Sequence, residues 1–530
     1  MLVAKPIGQF IEGGSGGIFC VGIALFLMAL SNFLEIDIGL NLWDEGFLWY
    51  GTSRTALGEV PVRDFQSYDP GRYYWGALWA LLFGNGIIAL RISSALFAFI
   101  GLSLGLLAAR RAFPSRGMVT VIALILVAWM WERHKMFEPA IVLAGIFFAV
   151  RLIEQPTVSR HLAAGVFVGV AAFFGMNHGL YCSAAMVVVI GLLFLKVEKQ
   201  VRWTKLGWFL GGIAIGYSPM VLMWLFVPGM AETMLESILR MFRLGTTNLV
   251  RPVPWPWVVD YGQSTLLNAH YFLVGTAFLA VPVLCLAGIV RVLRANSDFI
   301  KRNVLFTASV PFALLYSHYV FSRPDISHLS YGIAATFLLA ASFPFSSVRN
   351  TERRVVTPYL LLILALSVPM VGPLHGFTKK LLSVETYTRE NVAGNTLWVS
   401  RPTAQFLHTT AALRGMIRPD EGVFFAPYLP TLYMLVGRPS PVRELIFFAP
   451  RTEAIQTALV AALKHRNVAW VILGDFALDG QEQYRMRNSH PVVWRYLMDN
   501  FCELPNIELP KDYRLMRRCR KPDRNAAAKA

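Results

Sequence analysis

Two adjacent carboxylates, Asp44 and Glu45, begin a polar stretch that follows the first long apolar run of the sequence. Acidic side chains this close to an apolar run are costly unless they serve a site or meet a partner. A carboxylate in this position can take a proton from an attacking hydroxyl and so act as a general base. A pair of interfacial carboxylates, solvated or capping a helix, is an equally good interpretation of the two residues taken alone.

The same stretch continues with basic, acidic and aromatic side chains. Guanidinium groups hold phosphate through charge-assisted hydrogen bonds, and tyrosine rings stack on sugars or lie in the headgroup layer. The group is therefore predicted to bind a phosphorylated sugar, although an ordinary aromatic belt is the better interpretation of the tyrosines alone. Its members are Arg63, Asp64, Tyr68, Arg72 and Tyr73.

Arg133, Lys135 and Glu138 form a second charged cluster beside an apolar run. Glu138 lies one turn into that run, where a carboxylate needs a partner, and the two basic residues are near enough in sequence to supply one. Because this cluster is predicted on the same side of the membrane as Asp44, all three residues are predicted at the substrate site, with the two basic residues holding a lipid phosphate. An ion cluster that only closes a helix end is the alternative.

A third cluster, Arg323, Asp325 and His328, crowds three ionisable side chains into a very short turn between two apolar runs. Arg323 is predicted to clamp phosphate, with Asp325 orienting either Arg323 or His328. The alternative is a polar turn that closes two helices, with Pro324 setting the bend.

A membrane domain must position these clusters, because the 530-residue chain is 55% hydrophobic and only 15% charged. Its apolar residues occur in runs of about twenty, the length of a transmembrane helix. The net charge of +17 does not indicate nucleic-acid binding, because much of the basic charge lies in short loops between apolar runs. The sequence predicts eleven spans, which are 18–34, 87–109, 118–131, 137–153, 162–176, 180–195, 206–227, 271–290, 304–321, 329–345 and 355–371.

Lys and Arg are concentrated in every second loop between the predicted spans, and the positive-inside rule makes those loops cytoplasmic. The N-terminus is then cytoplasmic, and residues 35–86 form the first extracytoplasmic loop. This alternation requires the apolar residues 74–83 to be an interfacial or re-entrant segment, because they are too few to span. Residues 1–373 are thus predicted as the multi-pass domain of an inner or plasma membrane protein, and residues 374–530 as an extracytoplasmic domain.

The C-terminal domain is predicted to be a small α/β domain, with strands at 422–426 and 468–473 around a helix at 452–464. Cys502 and Cys519 can pair if this domain is extracytoplasmic. The last twenty residues, rich in Lys and Arg, are predicted as a disordered end, with a contact to anionic lipid headgroups as the alternative. Three further cysteines are predicted to pack inside apolar runs, namely Cys20, Cys182 and Cys285.

The first extracytoplasmic loop resembles that of C-type (GT-C) membrane glycosyltransferases, and most of all bacterial enzymes similar to protein mannosyltransferases and aminoarabinose transferases. The resemblance rests on the Asp-Glu pair, a Gly-x-x-Pro-x-Arg-Asp-Phe segment and a Pro-Gly-x-Tyr-Tyr segment. The family often has a second proline where Asp69 stands, so the match there is partial. The matching residues are Asp44, Glu45, Gly58, Pro61, Arg63, Asp64, Phe65, Pro70, Gly71, Tyr73 and Tyr74.

The resemblance implies an all-α polytopic membrane protein of about eleven transmembrane helices, with the small α/β domain outside the cytoplasm. It implies transfer of a sugar from a polyprenyl-phosphate donor to a cell-envelope acceptor, with inversion and with Asp44 as base and Glu45 as its support. The leaving phosphate needs cations, and the candidates are Arg63, Arg72, Lys135 and Arg323. Some relatives use a divalent metal beside acidic residues, and the first-loop acids could bind one. No metal or other cofactor is predicted, because residues 131–135 contain no second acidic pair.

Other classes of function share some of these features. A transporter or flippase of lipid-linked sugars places charges at the membrane midplane within broken helices, whereas the acids here cluster at one membrane edge. A glycan polymerase or ligase uses the same donor with another acceptor. A fourth alternative is a scaffold protein that keeps the architecture of the family but has lost its activity. The sequence has no Walker-type nucleotide motif, which fits a lipid-linked donor.

Overall fold

The computed structural model describes residues 14–244, 248–260, 262–347, 353–504 and 507–519. Contacts divide the chain into two compact units. The helical unit comprises Met1–Ile36, Asp69–Arg72 and Arg91–Leu381, and the mixed unit comprises Asp37–Tyr68, Tyr73–Leu90 and Leu382–Ala530. Most of the predicted first loop thus belongs to the mixed unit. The sequence predicts one boundary after residue 373, and that boundary stays a prediction.

Apolar helices dominate the chain up to residue 382. In lipid every backbone polar group must be satisfied within the protein, and an α-helix does this within a single segment. In chain order the helices are α1 (Gly14–Glu35), α2 (Asp44–Ala56), α3 (Pro70–Phe83), α4 (Ile87–Ala109), α5 (Arg116–Ala128), α6 (Phe137–Glu154), α7 (Val158–Phe174), α8 (Met176–Leu192), α9 (Trp203–Phe226), α10 (Met230–Leu244), α11 (Thr265–Leu293), α12 (Ser297–Arg302), α13 (Val304–Ser322), α14 (Ile326–Gly332), α15 (Ala334–Ser347), α16 (Arg353–Val371) and α17 (Gly376–Leu382).

Eight of the described helices are long and apolar enough to cross a membrane. Helices α14 and α15 are bent by 62° at the break between them, and the number of candidate spans is nine if this pair forms one span. The other two predicted spans, α5 and α7, are apolar but short. Helix α5 has 13 residues, or about 20 Å at 1.5 Å per residue, against a hydrocarbon core of about 30 Å. Many spans are therefore confirmed, whereas the number eleven is not. The eight are α1, α4, α6 with the turn before it (Arg133–Glu154), α8 with the helical turns that follow it (Met176–Glu198), α9, α11, α13 and α16 with the turn after it (Val355–Leu374).

Helix α3 contains the apolar residues that the sequence predicts as interfacial or re-entrant. Its 14 residues extend about 21 Å, which is shorter than the hydrocarbon core. Leu78, Leu81 and Phe83 are exposed on it, and an exposed apolar surface of this kind suits contact with lipid.

Helices α7 and α9 of the helical unit pack through a reciprocal pair of glycine motifs. Gly165 and Gly169 on α7 face backbone carbonyl oxygens of α9, and Gly212 and Gly216 on α9 face those of α7. A Cβ at any of the four positions would collide with the opposite backbone. Two glycines four residues apart let helix backbones approach closely in a membrane, where close van der Waals packing drives helix association.

The mixed unit ends the chain with a small α/β domain. Its strands and helices are β1 (Tyr387–Val392), β2 (Asn395–Ser400), α18 (Arg401–Met416), β3 (Gly422–Ala426), α19 (Pro430–Val436), α20 (Glu453–His465), β4 (Val468–Gly474), α21 (Met486–Ser489), α22 (Pro491–Asn500), β5 (Phe501–Glu503) and β6 (Tyr513–Arg518). β1 and β2 form an antiparallel pair, and the four-stranded sheet has the order β3-β4-β6-β5, with β3 and β4 parallel. The two predicted strands and the predicted helix coincide with β3, β4 and α20.

The cysteines behave as the sequence predicts. Cys502 and Cys519 form a disulfide, and the three cysteines in apolar runs are free and buried. Residues 520–530 lie outside the described residues, and so does most of the basic end for which disorder or a lipid contact is predicted.

Candidate active site

Asn41 fixes the two acids at the beginning of α2. Its side-chain oxygen accepts hydrogen bonds from the backbone N–H groups of Trp43 at 2.9 Å and Asp44 at 3.0 Å. In return, the Glu45 carboxylate accepts a hydrogen bond from the Asn41 N–H at 3.2 Å. Such reciprocal bonds satisfy the first N–H groups of a helix, where negative charge is favourable. Buried Glu45 thus takes the capping role that the sequence leaves open for either acid.

Half-buried Asp44 contacts a residue of the C-terminal segment within the mixed unit. The hydroxyl of Tyr428 donates a hydrogen bond to the Asp44 Oδ1 at 2.9 Å. Burial, reinforced by the charge of Asp44, raises the pKa of Tyr428 well above its usual value, so the phenol keeps the proton that it donates. The two residues are 384 positions apart, and sequence reasoning missed Tyr428 because no local pattern links it to Asp44.

A close approach between α2 and α19 accompanies this hydrogen bond. Thr431 donates a hydrogen bond from its hydroxyl to the Leu42 carbonyl at 2.9 Å. Gly46 lies against Thr431, and a Cβ at this position would collide with the threonine hydroxyl. Because glycine has no side chain, the position after Asp44 and Glu45 allows α2 to pack closely against α19.

Arg63 and Asp64 pair with each other. The Arg63 Nε and Nη2 donate to the two Asp64 oxygens at 2.7 and 2.8 Å, and this bond lowers the pKa of Asp64. The preceding Val62 has a φ of 74°, a strained value for a β-branched residue. Its carbonyl accepts two hydrogen bonds from Arg443, at 2.9 and 2.6 Å. The loop is therefore held in one conformation, and Arg63 presents a guanidinium already bound to a carboxylate.

The two predicted tyrosines occupy different environments in the mixed unit. Tyr68 is half-buried, and its ring packs edge-on against Phe47 with centroids 5.0 Å apart. Tyr73 is 0% exposed, and its hydroxyl accepts a hydrogen bond from the Tyr68 N–H at 3.0 Å. Its ring packs on Phe65, with centroids 5.8 Å apart. This placement gives Tyr73 a structural role, and its predicted contact with substrate stays a prediction.

In the helical unit, Arg72 and Glu138 form a buried ion pair. The Arg72 Nη1 lies 2.7 Å from the Glu138 Oε1, and the two side chains are 4% and 0% exposed. Arg72 also donates from Nε to the Phe174 carbonyl at 2.8 Å. The Lys135 ammonium lies 3.8 Å from the same Glu138 oxygen. Glu138 therefore has the basic partner that its position in an apolar helix requires, and the structure adds Arg72 to the predicted Lys135.

Arg133 belongs to a cluster at the end of α1. Its Nη1 donates to the Glu35 carbonyl at 2.6 Å. The Glu35 carboxylate lies 2.8 Å from the His375 Nδ1, and the His375 Nε2 lies 2.9 Å from the Ala128 carbonyl. Burial opposes protonation of His375, but the hydrogen bond and charge of Glu35 prevail and raise its pKa. Arg133 thus helps to close a helix end, which matches the alternative that the sequence left open.

Glu132 is a site that sequence reasoning missed. Its carboxylate accepts hydrogen bonds from the Ser327 and Tyr331 hydroxyls, and the His134 Nε2 lies 3.3 Å away. The contacts therefore join the turn that contains Lys135 to helix α14. Tyr331 follows His328 by three residues, and this helical spacing is the one local signal that places both on the same face of α14.

The third predicted cluster is assembled around Asp325. The Arg323 Nε donates to Asp325 at 3.0 Å, and both the backbone N–H and the Nδ1 of His328 lie 2.9 Å from the other oxygen. Burial opposes ionisation of Asp325, but the His328 bonds and the Arg323 charge prevail and lower its pKa. Arg251 and Asn248 extend the cluster, at 3.8 Å from Asp325 and 2.9 Å from the His328 Nε2 respectively. Asp325 thus orients both residues named as alternatives.

Tyr331 joins the two charged clusters of the helical unit. The Lys135 ammonium lies 5.8 Å from the centre of its ring, and the His328 ring centroid lies 5.2 Å away. We call the residues around it the Tyr331 network. They are Arg72, Glu132, Lys135, Glu138, Arg251, Arg323, Asp325, His328 and Tyr331. Among the described residues, no three His, Cys, Asp or Glu side chains are grouped as ligands for a metal ion.

Solved structures with the same architecture cover nearly the whole chain. The structure of ArnT from Cupriavidus metallidurans bound to undecaprenyl phosphate aligns at 14% identity and a TM-score of 0.53, over 94% of this chain and 97% of ArnT. The archaeal oligosaccharyltransferase AglB from Archaeoglobus fulgidus, in complex with an inhibitory peptide and a dolichol-phosphate, aligns at 10% identity and 0.51, over 93% and 75%. The chain has the GT-C fold. Apo ArnT aligns at 13% identity and 0.53.

The GT-C fold confirms the predicted fold class and makes the chain a multi-pass membrane protein. No family model matches the sequence, and no curated protein matches it significantly. Within this fold the predicted site residues form two groups. The mixed unit contains Asp44, Glu45, Arg63, Asp64, Tyr68 and Tyr73, and the helical unit contains Arg72, Arg133, Lys135, Glu138, Arg323, Asp325 and His328. Their contacts are those given above, and their roles toward a substrate stay predictions.

Proposed function

We propose that the protein is a membrane glycosyltransferase that moves a sugar from a polyprenyl-phosphate donor to a hydroxyl of a cell-envelope acceptor. The observation that carries the proposal is the GT-C fold over nearly the whole chain, together with Asp44 held at the start of α2 by Asn41 and Tyr428. Structures of this fold hold undecaprenyl phosphate in ArnT and a dolichol-phosphate in AglB. A prenyl phosphate is thus the product expected to leave.

The proposed reaction is a single displacement at the anomeric carbon. The acceptor oxygen attacks that carbon and forms the new C–O bond, while the bond to the phosphate oxygen breaks and its electron pair leaves with polyprenyl phosphate. Asp44 accepts the acceptor proton as this bond forms, because the oxygen becomes more acidic in the transition state. One displacement inverts the configuration of the anomeric carbon.

Basic side chains are proposed to stabilise the charge of the departing phosphate. In the helical unit we assign this role first to Lys135 and Arg323, which belong to the Tyr331 network and keep carboxylate neighbours at 3.8 and 3.0 Å. Arg63 and Arg72 are more firmly paired with Asp64 and Glu138. They are proposed to contribute positive charge from those pairs.

Transfer is expected in proteoliposomes that contain the purified protein, a polyprenyl-phosphate donor with a radiolabelled sugar and an envelope extract as acceptor. The label should move to acceptor while polyprenyl phosphate accumulates, and EDTA should leave the rate unchanged because no metal step is proposed. Donor that only changes leaflets, without being consumed, would show a flippase instead. Mass spectrometry of envelope glycans from cells with and without the protein then separates addition of one sugar from polymerisation or ligation.

We also propose that the N-terminus is cytoplasmic and the C-terminal domain extracytoplasmic, in an inner or plasma membrane. Basic loops on alternate connections support this orientation. The disulfide between Cys502 and Cys519 supports it independently, because disulfides persist in oxidising compartments.

Cysteine labelling tests the orientation. Asp420→Cys in the mixed unit is expected to react with an impermeant thiol reagent in intact cells, and Asp298→Cys between α11 and α13 only after the cells are opened. Both side chains are well exposed, at 67% and 76%. The native cysteines give little background, because they are buried or paired. The reverse pattern of labelling would overturn the orientation.

A further inference from the structure

The proposed base is held by a side chain from the far end of the chain. Tyr428 lies between β3 and α19, and its hydroxyl reaches the Asp44 carboxylate at 2.9 Å. Its ring packs between Phe47 and Phe448, with centroids 6.0 and 6.4 Å away. Only 8% of Tyr428 is exposed. The hydroxyl is thus aimed by a packed ring rather than by a flexible surface side chain.

The backbone on either side of Tyr428 is fixed as well. Pro427 accepts a hydrogen bond at its carbonyl from the Phe447 N–H at 2.9 Å. Thr431 binds the Leu42 carbonyl next to α2. Tyr428 follows β3 at the carboxyl end of the parallel β3–β4 pair, the edge at which α/β sheets place ligands. The sheet therefore sets the position of the hydroxyl relative to Asp44.

We propose that Tyr428 is a positioning residue for the general base, so that the C-terminal domain takes part in catalysis by holding the Asp44 carboxylate in its reactive orientation. This inference rests on the proposed function. A donated hydrogen bond restricts rotation of the carboxylate, because the bond weakens steeply away from a linear geometry. Misplacing a reacting group by about 1 Å can cost about 10²-fold in rate, so a single well-aimed bond has a measurable effect.

The test compares wild type with Tyr428→Phe, which removes the hydroxyl and keeps the ring. We expect kcat to fall by about 10- to 100-fold while KM for the donor stays within about twofold, because the bond acts on the base and not on donor binding. An unchanged kcat with a normal melting temperature would overturn the proposal.

Tyr433→Phe is the matched control. Tyr433 is equally buried in the same unit, and its hydroxyl accepts a hydrogen bond from the Phe425 N–H at 3.0 Å rather than contacting Asp44. This variant should lower the melting temperature while kcat stays within about twofold of the wild-type value. If both variants lowered kcat alike, the effect of Tyr428→Phe would be structural and the proposal would be wrong.

A double-mutant cycle with Asp44→Asn separates this inference from the proposed function. If Tyr428 acts through Asp44, adding Tyr428→Phe to Asp44→Asn should change the residual rate by less than about twofold. A further tenfold loss would contradict positioning. A wild-type protein without transfer activity would contradict the proposed function itself. An inactive Asp44→Asn variant together with a fully active Tyr428→Phe variant would contradict only the role of Tyr428.

Discussion

An Asp44→Asn variant is expected to lose transfer activity by about 10²- to 10⁴-fold while it folds and binds the donor like the wild type. The amide cannot accept a proton from the attacking hydroxyl. Its oxygen can still accept the hydrogen bond from Tyr428, and its backbone N–H keeps the bond to Asn41. The change therefore removes the base while keeping the contacts that orient it.

Single-turnover transfer in proteoliposomes measures the loss, and a melting curve with and without polyprenyl phosphate reports folding and lipid binding. Asp420→Asn is the control, because it makes the same chemical change at a side chain of the mixed unit that is 67% exposed. It should keep the wild-type rate. An Asp44→Asn protein that folds and retains more than about a third of the wild-type rate would remove the base assignment, since a lost base costs at least about 10²-fold.

Glu138→Gln is expected to destabilise the protein by about 3–5 kcal/mol, the usual cost of removing one member of a buried ion pair. The substitution leaves the Arg72 guanidinium, only 4% exposed, without the carboxylate that lies 2.7 Å away. Lys135 loses the same counter-charge at 3.8 Å. The cost arises from the lost counter-charge of a buried pair rather than from lost packing, because Gln has nearly the shape of Glu.

Thermal unfolding in detergent measures this effect, with two comparisons. Asp298→Asn breaks an exposed ion pair with Arg302 whose side chains are 76% and 59% exposed, and should change stability by less than about 1 kcal/mol. The double variant Arg72→Met with Glu138→Leu removes both charges and should be more stable than Glu138→Gln alone. Equal melting temperatures for Glu138→Gln and Asp298→Asn would show that the pair is not buried as the contacts indicate.

The contacts of several residues could be predicted from the sequence, because their partners are close in the chain. Glu138 was predicted to need a basic partner, and Lys135 lies three residues before it, in the turn that precedes α6. Arg323, Asp325 and His328 were predicted as one cluster, and the structure joins them by hydrogen bonds. Neighbours within one turn must be close whatever the tertiary fold, so short-range patterns found these contacts.

Contacts between segments that are distant in the sequence could not be predicted from local patterns. Arg72 and Glu138 were both predicted to bind substrate, yet they pair with each other across 66 residues. Glu132 was passed over because its partners Ser327 and Tyr331 come from another helix. Tyr73 was predicted from its residue type to contact a sugar or to lie in the headgroup layer, and no local pattern indicated that tertiary packing buries it completely.

The sequence by itself predicted many membrane helices, the small α/β domain, the possible pairing of Cys502 with Cys519 and, through a resemblance, the kind of fold. These features depend on the length of apolar runs, on local strand and helix patterns and on a short motif, all of which are properties of neighbouring residues. Only the tertiary structure decided which charges neutralise one another and which hydroxyl reaches Asp44. Burial and hydrogen bonding depend on distances in space, and Tyr428 is brought to Asp44 across 384 residues by the packing of α19 against α2.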